Sequence, residues 1–225
     1  MKSLAAKTTL TQRQIVKHLK YQRLPSYLRS LFLLLIIFLH GCSLLPKEPI
    51  LNEAFYDWPS TEIKLRELNN WSLFGKLGIR TPQDSLTAAI NQWVQEDDQF
   101  EIDISSTFFG LGSSKLYGNP NFLIIYESGE DPVSSFEPDA LIESALGIPL
   151  PISYLSSWIK ALPVNSSTYI QTFNQQGLPD SLVQDGWTLN FSHYQFGHKL
   201  PLPGKIKIQR DNIRIILAVK EWILP

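Results

Sequence analysis

The stretch FEIDIS, residues 100–105, alternates without a break: Phe100, Ile102 and Ile104 fall on one side, Glu101, Asp103 and Ser105 on the other. A period of two sends successive side chains to opposite faces of a strand, so the segment reads as a strand with one dry and one wet face. The same rhythm runs along most of the chain. WSLFGKLGIR (71–80) sets Trp71, Leu73, Leu77 and Ile79 on one face, TPQD (81–84) turns, SLTAAINQWVQ (85–95) returns, and Glu96-Asp97-Asp98 turns again. SSKLYGN (113–119) and NFLIIYES (121–128) form a hairpin across Asn119-Pro120. STYIQTF, DSLVQ, GWTLNFSHYQF, GKIKIQR and NIRIILAVKEW follow, the last two joined at Asp211-Asn212, a pair suited to a tight turn. About ten strands at such short spacing argue for one large antiparallel sheet, strongly curled or barrel-like.

Helical spacing interrupts this rhythm in three places. STEIKLRELNN, ahead of the first strand, carries Glu62 and Arg66 four residues apart. EPDALIESALG has Pro138 near its first turn, the pairs Leu141/Ala145 and Ile142/Leu146, and Gly147 as a stop. PISYLSSWIKALP aligns Ile152, Leu155, Ile159 and Leu162 on one stripe with Trp158 beside it, and ends at Pro163. Two helices set between strands can close one mouth of a curled sheet. Inward residues Ile90, Phe100, Ile102, Ile104, Ile206 and Ile208 from the sheet, and Leu141, Ile142, Leu155, Trp158 and Ile159 from the helices, then bound either an apolar cavity or a filled core.

The first forty residues follow different rules. Lys2, Lys7, Arg13, Lys17, Lys20, Arg23 and Arg29 precede an aliphatic and Phe run from Leu31 to Leu39, and no acidic residue occurs before Glu48. The run is half the roughly 20 residues that a spanning helix requires, so the segment reads as a secretory signal. Leu39-His40-Gly41-Cys42 resembles the bacterial lipobox, with His40 where a small or β-branched residue is usual. That resemblance implies acylation of Cys42, the chain's only cysteine, after cleavage; the other reading is a free buried cysteine behind an ordinary signal peptide. Ser43 rather than Asp after the cysteine resembles the sorted lipoproteins of Gram-negative bacteria, and that resemblance implies export to the outer membrane, anchored by lipid on its periplasmic face. The expected organisation is a signal peptide over 1–41, a lipidated N-terminus and proline-containing tether over 42–60, and a single domain over 61–225.

Composition then narrows the chemistry. Residues 42–225 hold 13 basic and 21 acidic residues, a net charge of −8, which disfavours a nucleic-acid face. His193 and His198 alone cannot complete a zinc site without cysteine partners, and SHYQFGH reads as an exposed strand end. GLGSSK lacks the spacing of a nucleotide fingerprint, and neither G-x-x-x-x-G-K-[ST] nor G-x-S-x-G occurs. Asp97, Asp98, Glu101 and Asp103 sit in a turn or on a polar strand face, as solvated carboxylates do. A binding protein without catalytic residues, cofactor or metal is the expectation.

GIPLPISYLSSWIKALP, residues 147–163, resembles the LolB family of outer-membrane lipoprotein receptors through Gly147, Pro149, Leu150, Pro151, Leu155, Trp158, Ile159 and Pro163, with Ala161 where that family has glycine. LNNWSLFGKLGIR, Trp93 in INQWVQ, FFGLGSSKL (with Phe108 in place of a proline), DGWTLNFSHY and VKEWIL fall in the family's order. The resemblance implies an unclosed antiparallel β-barrel of about eleven strands, covered by a helical lid around an apolar cavity, a fold shared with the soluble carrier LolA. It implies that the chain, as a monomer, takes triacylated client lipoproteins from the periplasmic carrier LolA and inserts them into outer-membrane lipid.

One segment is apolar where connections are normally polar. In TFFGLG, residues 107–112, Phe108, Phe109 and Leu111 alternate with two glycines, Gly110 and Gly112. The residues alone fit a buried strand end with a bulge at Gly110; the family resemblance implies a membrane-delivery loop with Phe109 protruding. Two other functions compete with the receptor reading: a non-catalytic envelope scaffold or sensor lipoprotein with a filled core, and a hydrolase built from dispersed carboxylates.

Overall fold

The computed structural model describes residues 55–105, 113–197 and 199–225. Helix α1 (Trp58–Glu67) leads into five strands, β1 (Asn70–Arg80), β2 (Ser85–Glu96), β3 (Gln99–Ser105), β4 (Ser113–Asn119) and β5 (Phe122–Glu127). The short β6 (Val133–Ser135) precedes helices α2 (Pro138–Leu146) and α3 (Ile152–Trp158). Strands β7 (Tyr169–Phe173), β8 (Pro179–Gln184), β9 (Trp187–Ser192), β10 (Lys205–Arg210) and β11 (Ile213–Ile223) complete the chain. All eleven strands belong to one sheet in the order β6-β5-β4-β3-β2-β1-β11-β10-β9-β8-β7, every pair antiparallel. The first and last strands thus pair at the centre, while β6 and β7 form the two margins and do not pair with each other among the described residues. This is the large antiparallel sheet that the alternation predicts and the unclosed barrel that the resemblance implies.

Curvature comes from identifiable residues. β1 shifts register against both neighbours at Gly75, where an added Cβ would lie 2.5 Å from the Ala218 carbonyl oxygen. Only glycine lets β11 approach so closely, and the resulting bulge bends the longest pair of the sheet. Asp97, Asp185 and Asp211 adopt positive φ in the turns after β2, β8 and β10, as tight hairpins require.

The helices begin and end where local chemistry allows. Arg66 donates to Glu62 from two nitrogens at 2.9 and 2.7 Å and reaches the Pro163 carbonyl, so α1 is tied to the segment after α3. Gly147 closes α2 in the left-handed region, its N–H donating to Glu143. The apolar stripe foretells α3 as far as Pro163, but the regular helix stops at Trp158. Ala161 (φ 60°) turns left-handed, and its N–H and that of Leu162 donate back to the Trp158 and Ser157 carbonyls. That two-bond closure is a Schellman motif with alanine in the glycine position.

The concave face holds the core, in two unlike halves. Under β8 and β9, Trp158, Leu178, Leu182, Trp187 and Leu189 pack with almost no exposure. The Trp158 indole donates to Gln184 Oε1 at 3.0 Å, and the buried Gln184 also bonds both polar backbone atoms of Val164. The other half, under β1–β4, β10 and β11, is roofed by α2 and α3 and is not filled.

Candidate acyl-binding cavity

A cavity of about 90 Å³ lies between the two helices and the unfilled half of the sheet. Its walls are Leu77, Ile79, Ile90, Trp93, Ile102, Ile104, Leu116, Ile208, Ile215 and Leu217 from six strands, closed by Ile142, Leu146, Leu150, Ile152, Leu155 and Ile159. No charged side chain is among them. A void with such walls stays dry and attracts apolar ligands. Its origin is the two periodicities in register: alternate strand residues point up, and the i, i+3, i+4 positions of the helices point down.

Two spaces adjoin it. Towards the turn at 81–84, Leu77, Ile79, Ile104, Leu116, Ile142 and Leu146 are shared with a space of about 230 Å³ that reaches Ser114 and Glu127. Towards the turn at 97–98, Trp93, Ile102 and Ile152 are shared with a space of about 190 Å³ whose walls include Gln95, Asp97, Asp98, Phe100, Ser153 and Ser156. The apolar volume is therefore continued at both ends of the half-barrel.

Of the residues expected to bound a cavity, Ile90, Ile102, Ile104, Ile142, Leu155, Ile159 and Ile208 line it together. Phe100 lies in the adjoining space at the 97–98 end. Leu141 faces an outer groove with Glu127, Glu130 and Asp131. Trp158 and Ile206 are fully buried, Trp158 in the filled half against Trp187 at 6.4 Å. Leu77, Ile79, Trp93, Leu116, Leu146, Leu150, Ile152, Ile215 and Leu217 complete the lining, none of them among the residues expected to bound a cavity. For Ile215 and Leu217 the signal was available, since they share the inward parity of a clean alternating strand; Leu150 lies in the connection between helices, where no periodicity applies. Cys42, Phe108, Phe109 and Leu111 lie outside the described residues, as does His198.

The lid is latched at its own ends. Asp139 in the first turn of α2 accepts from the Ser153 backbone N–H and hydroxyl, both at 3.2 Å, and so caps α3, whose own N-cap position is Pro151. Behind α3, the buried Lys160 donates to the Leu65 and Leu68 carbonyls at 3.0 and 2.8 Å, clamping the end of α1. Burial, with the Arg66 charge adding to it, pushes the Lys160 ammonium down to about 8. No helix among the described residues is long and apolar enough to cross a membrane.

The structure is thus an open antiparallel half-barrel roofed by two helices over an apolar cavity. Residues 69–222 match the family model described as "Outer membrane lipoprotein LolB". Proteins named outer-membrane lipoprotein LolB are similar to this chain along most of their length. The Marinobacter nauticus protein is 32% identical over 81% of this chain and 90% of its own, and that of Chromohalobacter salexigens 33% over 85% and 88%. A crystal structure of a LolA superfamily protein from Nitrosomonas europaea, 9% identical, superposes with a TM-score of 0.47 over 74% of this chain and 93% of its own. The chain belongs to the outer membrane lipoprotein LolB family.

Proposed function

We propose that this protein receives lipoproteins from a periplasmic carrier, shelters their acyl chains in the cavity between α2, α3 and the sheet, and releases them into the outer membrane. Family membership supports the receptor role, and one observation carries the mechanism: the wholly apolar cavity beneath a two-helix lid. Acyl chains gain about 0.8 kcal/mol per methylene on leaving water, so no stage of transfer can expose them for long. Cavities that take small ligands run to about 300–1,000 Å³. At about 90 Å³ the enclosed space holds only part of a chain, so loading requires the lid to rise and join it to the spaces at either end.

In the same reading residues 1–41 are removed, Cys42 carries the lipid anchor, and residues 42–60 act as the tether. The segment with Phe108, Phe109 and Leu111 delivers the client at the membrane. The decisive measurement is binding of a fluorescent acyl probe, its displacement by lipoprotein-loaded carrier, and the effect of Ile104→Arg. A cation at the centre of the cavity should lower probe affinity at least tenfold in a protein that still folds. A folded Ile104→Arg variant that accepts lipoprotein as before would overturn the assignment.

A further inference from the structure

The space at the 97–98 end of the cavity is not apolar throughout, and its polar atoms are unusual. Trp93 and Gln95 both line it, two residues apart on β2 and so on one face of the strand. Each is 4% exposed. The Gln95 Nε2 donates to the Asp97 carbonyl at 2.9 Å, which fixes the amide's orientation and leaves Oε1 as its free end. That oxygen has no hydrogen-bond partner, and neither has the Trp93 indole N–H. Buried polar groups are paired in the great majority of native structures. A donor and an acceptor are thus left over on one strand face, sealed from solvent in two residues that line this space, and a ligand with one of each would pair both once the side chains part.

Resting on the receptor reading above, we propose that Trp93 and Gln95 recognise the amide that joins a fatty-acyl chain to an amine, and so select N-acylated ligands over ester-linked lipids. A secondary amide at the head of an acyl chain offers a carbonyl to the indole N–H and an N–H to Gln95 Oε1, while the chain continues past Ile102 and Ile152 into the cavity. An ester satisfies the indole but leaves Gln95 unpaired. A free fatty acid would set its carboxylate beside Asp97 and Asp98. Sites built to hydrogen-bond a ligand group reject analogues that lack it far more strongly than apolar pockets reject a missing methylene. The pair thus distinguishes an N-acylated protein terminus from the diacyl esters of a bilayer, whose chains are equally apolar.

Trp71 supplies the competing explanation. It stands opposite Gln95 across β1 and β2, and its indole N–H is also without a partner. A small side-chain rotation would pair the two and leave no site.

The test is competition on the purified protein between a fluorescent acyl probe and two ligands of equal chain length, N-methylhexadecanamide and methyl hexadecanoate. The wild type should prefer the amide by about three- to tenfold, the range for one hydrogen bond. Gln95→Met should abolish that preference and leave ester affinity within about twofold. Trp93→Phe should weaken both ligands by about three- to tenfold, because both present a carbonyl. Equal affinity of the wild type for amide and ester overturns the proposal. So does a Gln95→Met variant that melts lower yet keeps the preference, which would assign Gln95 to Trp71. Failure of the wild type to bind probe or either ligand would sink the receptor reading itself.

Discussion

Lys160 shows how a single side chain can carry both a structural and a titratable burden. Its two bonds reach carbonyls that the end of α1 would otherwise leave unpaired. A neutral amine retains enough protons to donate both, so losing the charge relieves the cost of burial without breaking the clamp. The folded-state value of about 8 lies below the ordinary lysine value of 10.5, so from pH 8 upward the unfolded chain binds more protons than the native one. Stability should therefore rise between about pH 8 and pH 10, by at most about 1.4 kcal/mol per unit. Above pH 10 the buried Tyr194, whose phenol is pushed up by burial, opposes the trend. Urea midpoints across pH 7–10 should show the rise in the wild type and lose it in Lys160→Met. Next to it, Ala161 holds the left-handed position that glycine usually fills. The strain is roughly 1–2 kcal/mol and one buried methyl is worth about 0.8, so Ala161→Gly should stabilise the protein by up to about 1 kcal/mol. A lower melting temperature would mean that the methyl outweighs the strain. The sequence marks Ala161 through the family pattern, whereas Lys160 leaves no trace, because periodicity cannot tell a buried lysine from a solvated one.

At the level of elements, alternation located ten of the eleven strands. β6, with three residues, is too short to display a period of two. Alternation also assigns a face but not a depth. Ile206 and Ile208 share a strand face, yet only Ile208 borders the cavity. Trp158 lies on the stripe of α3 that turns towards β8, where Gln184 holds it. What fills one half of the sheet and empties the other is the strand order, which brings β1 beside β11, and no local pattern encodes that. The lid depends on a similarly non-local contact between Asp139 and Ser153. Asp139→Ala removes the cap of α3 and its side-chain tie to α2, at a cost typical of a lost N-cap, about 0.5–2 kcal/mol. Amides of α2 and α3 should exchange with solvent correspondingly faster, and bound acyl probe should dissociate faster, with exchange in β1 and β11 unchanged. A uniform increase across the sheet would mean that the latch supports the whole fold rather than the lid.

For the whole molecule, the two ends of the half-barrel have different roles in the proposed transfer. Arg80 pairs with Ser85 and Ser105 with Ser113, so Ser105 and Ser113, the described residues on either side of Phe109 in sequence, lie at the end opposite the 97–98 turn. In the proposed binding mode, an acyl chain held by its amide near Trp93 and Gln95 would point its methyl terminus towards Ser105 and Ser113. Release from there would enter a bilayer tail first, with the client's polypeptide still on the aqueous side. If each step of the proposed transfer runs downhill, the membrane end needs an affinity for lipid of its own. Phe109 is proposed to provide it by entering the interface, where burying a phenylalanine is worth roughly 1.5–3 kcal/mol, or about a ten- to hundredfold change in engagement. Phe109→Glu should therefore accept lipoprotein from the carrier almost as the wild type does and release it into liposomes at least tenfold more slowly, with Phe108 and Leu111 substitutions giving weaker forms of the same defect. The glutamate should do worse than alanine at this position, because a charge must remain in water while a truncation only forfeits contact. The two transfers are measured separately on one preparation. Equal loss in both, together with a lower melting temperature, would identify Phe109 as a core residue and leave the membrane end of the half-barrel without an agent.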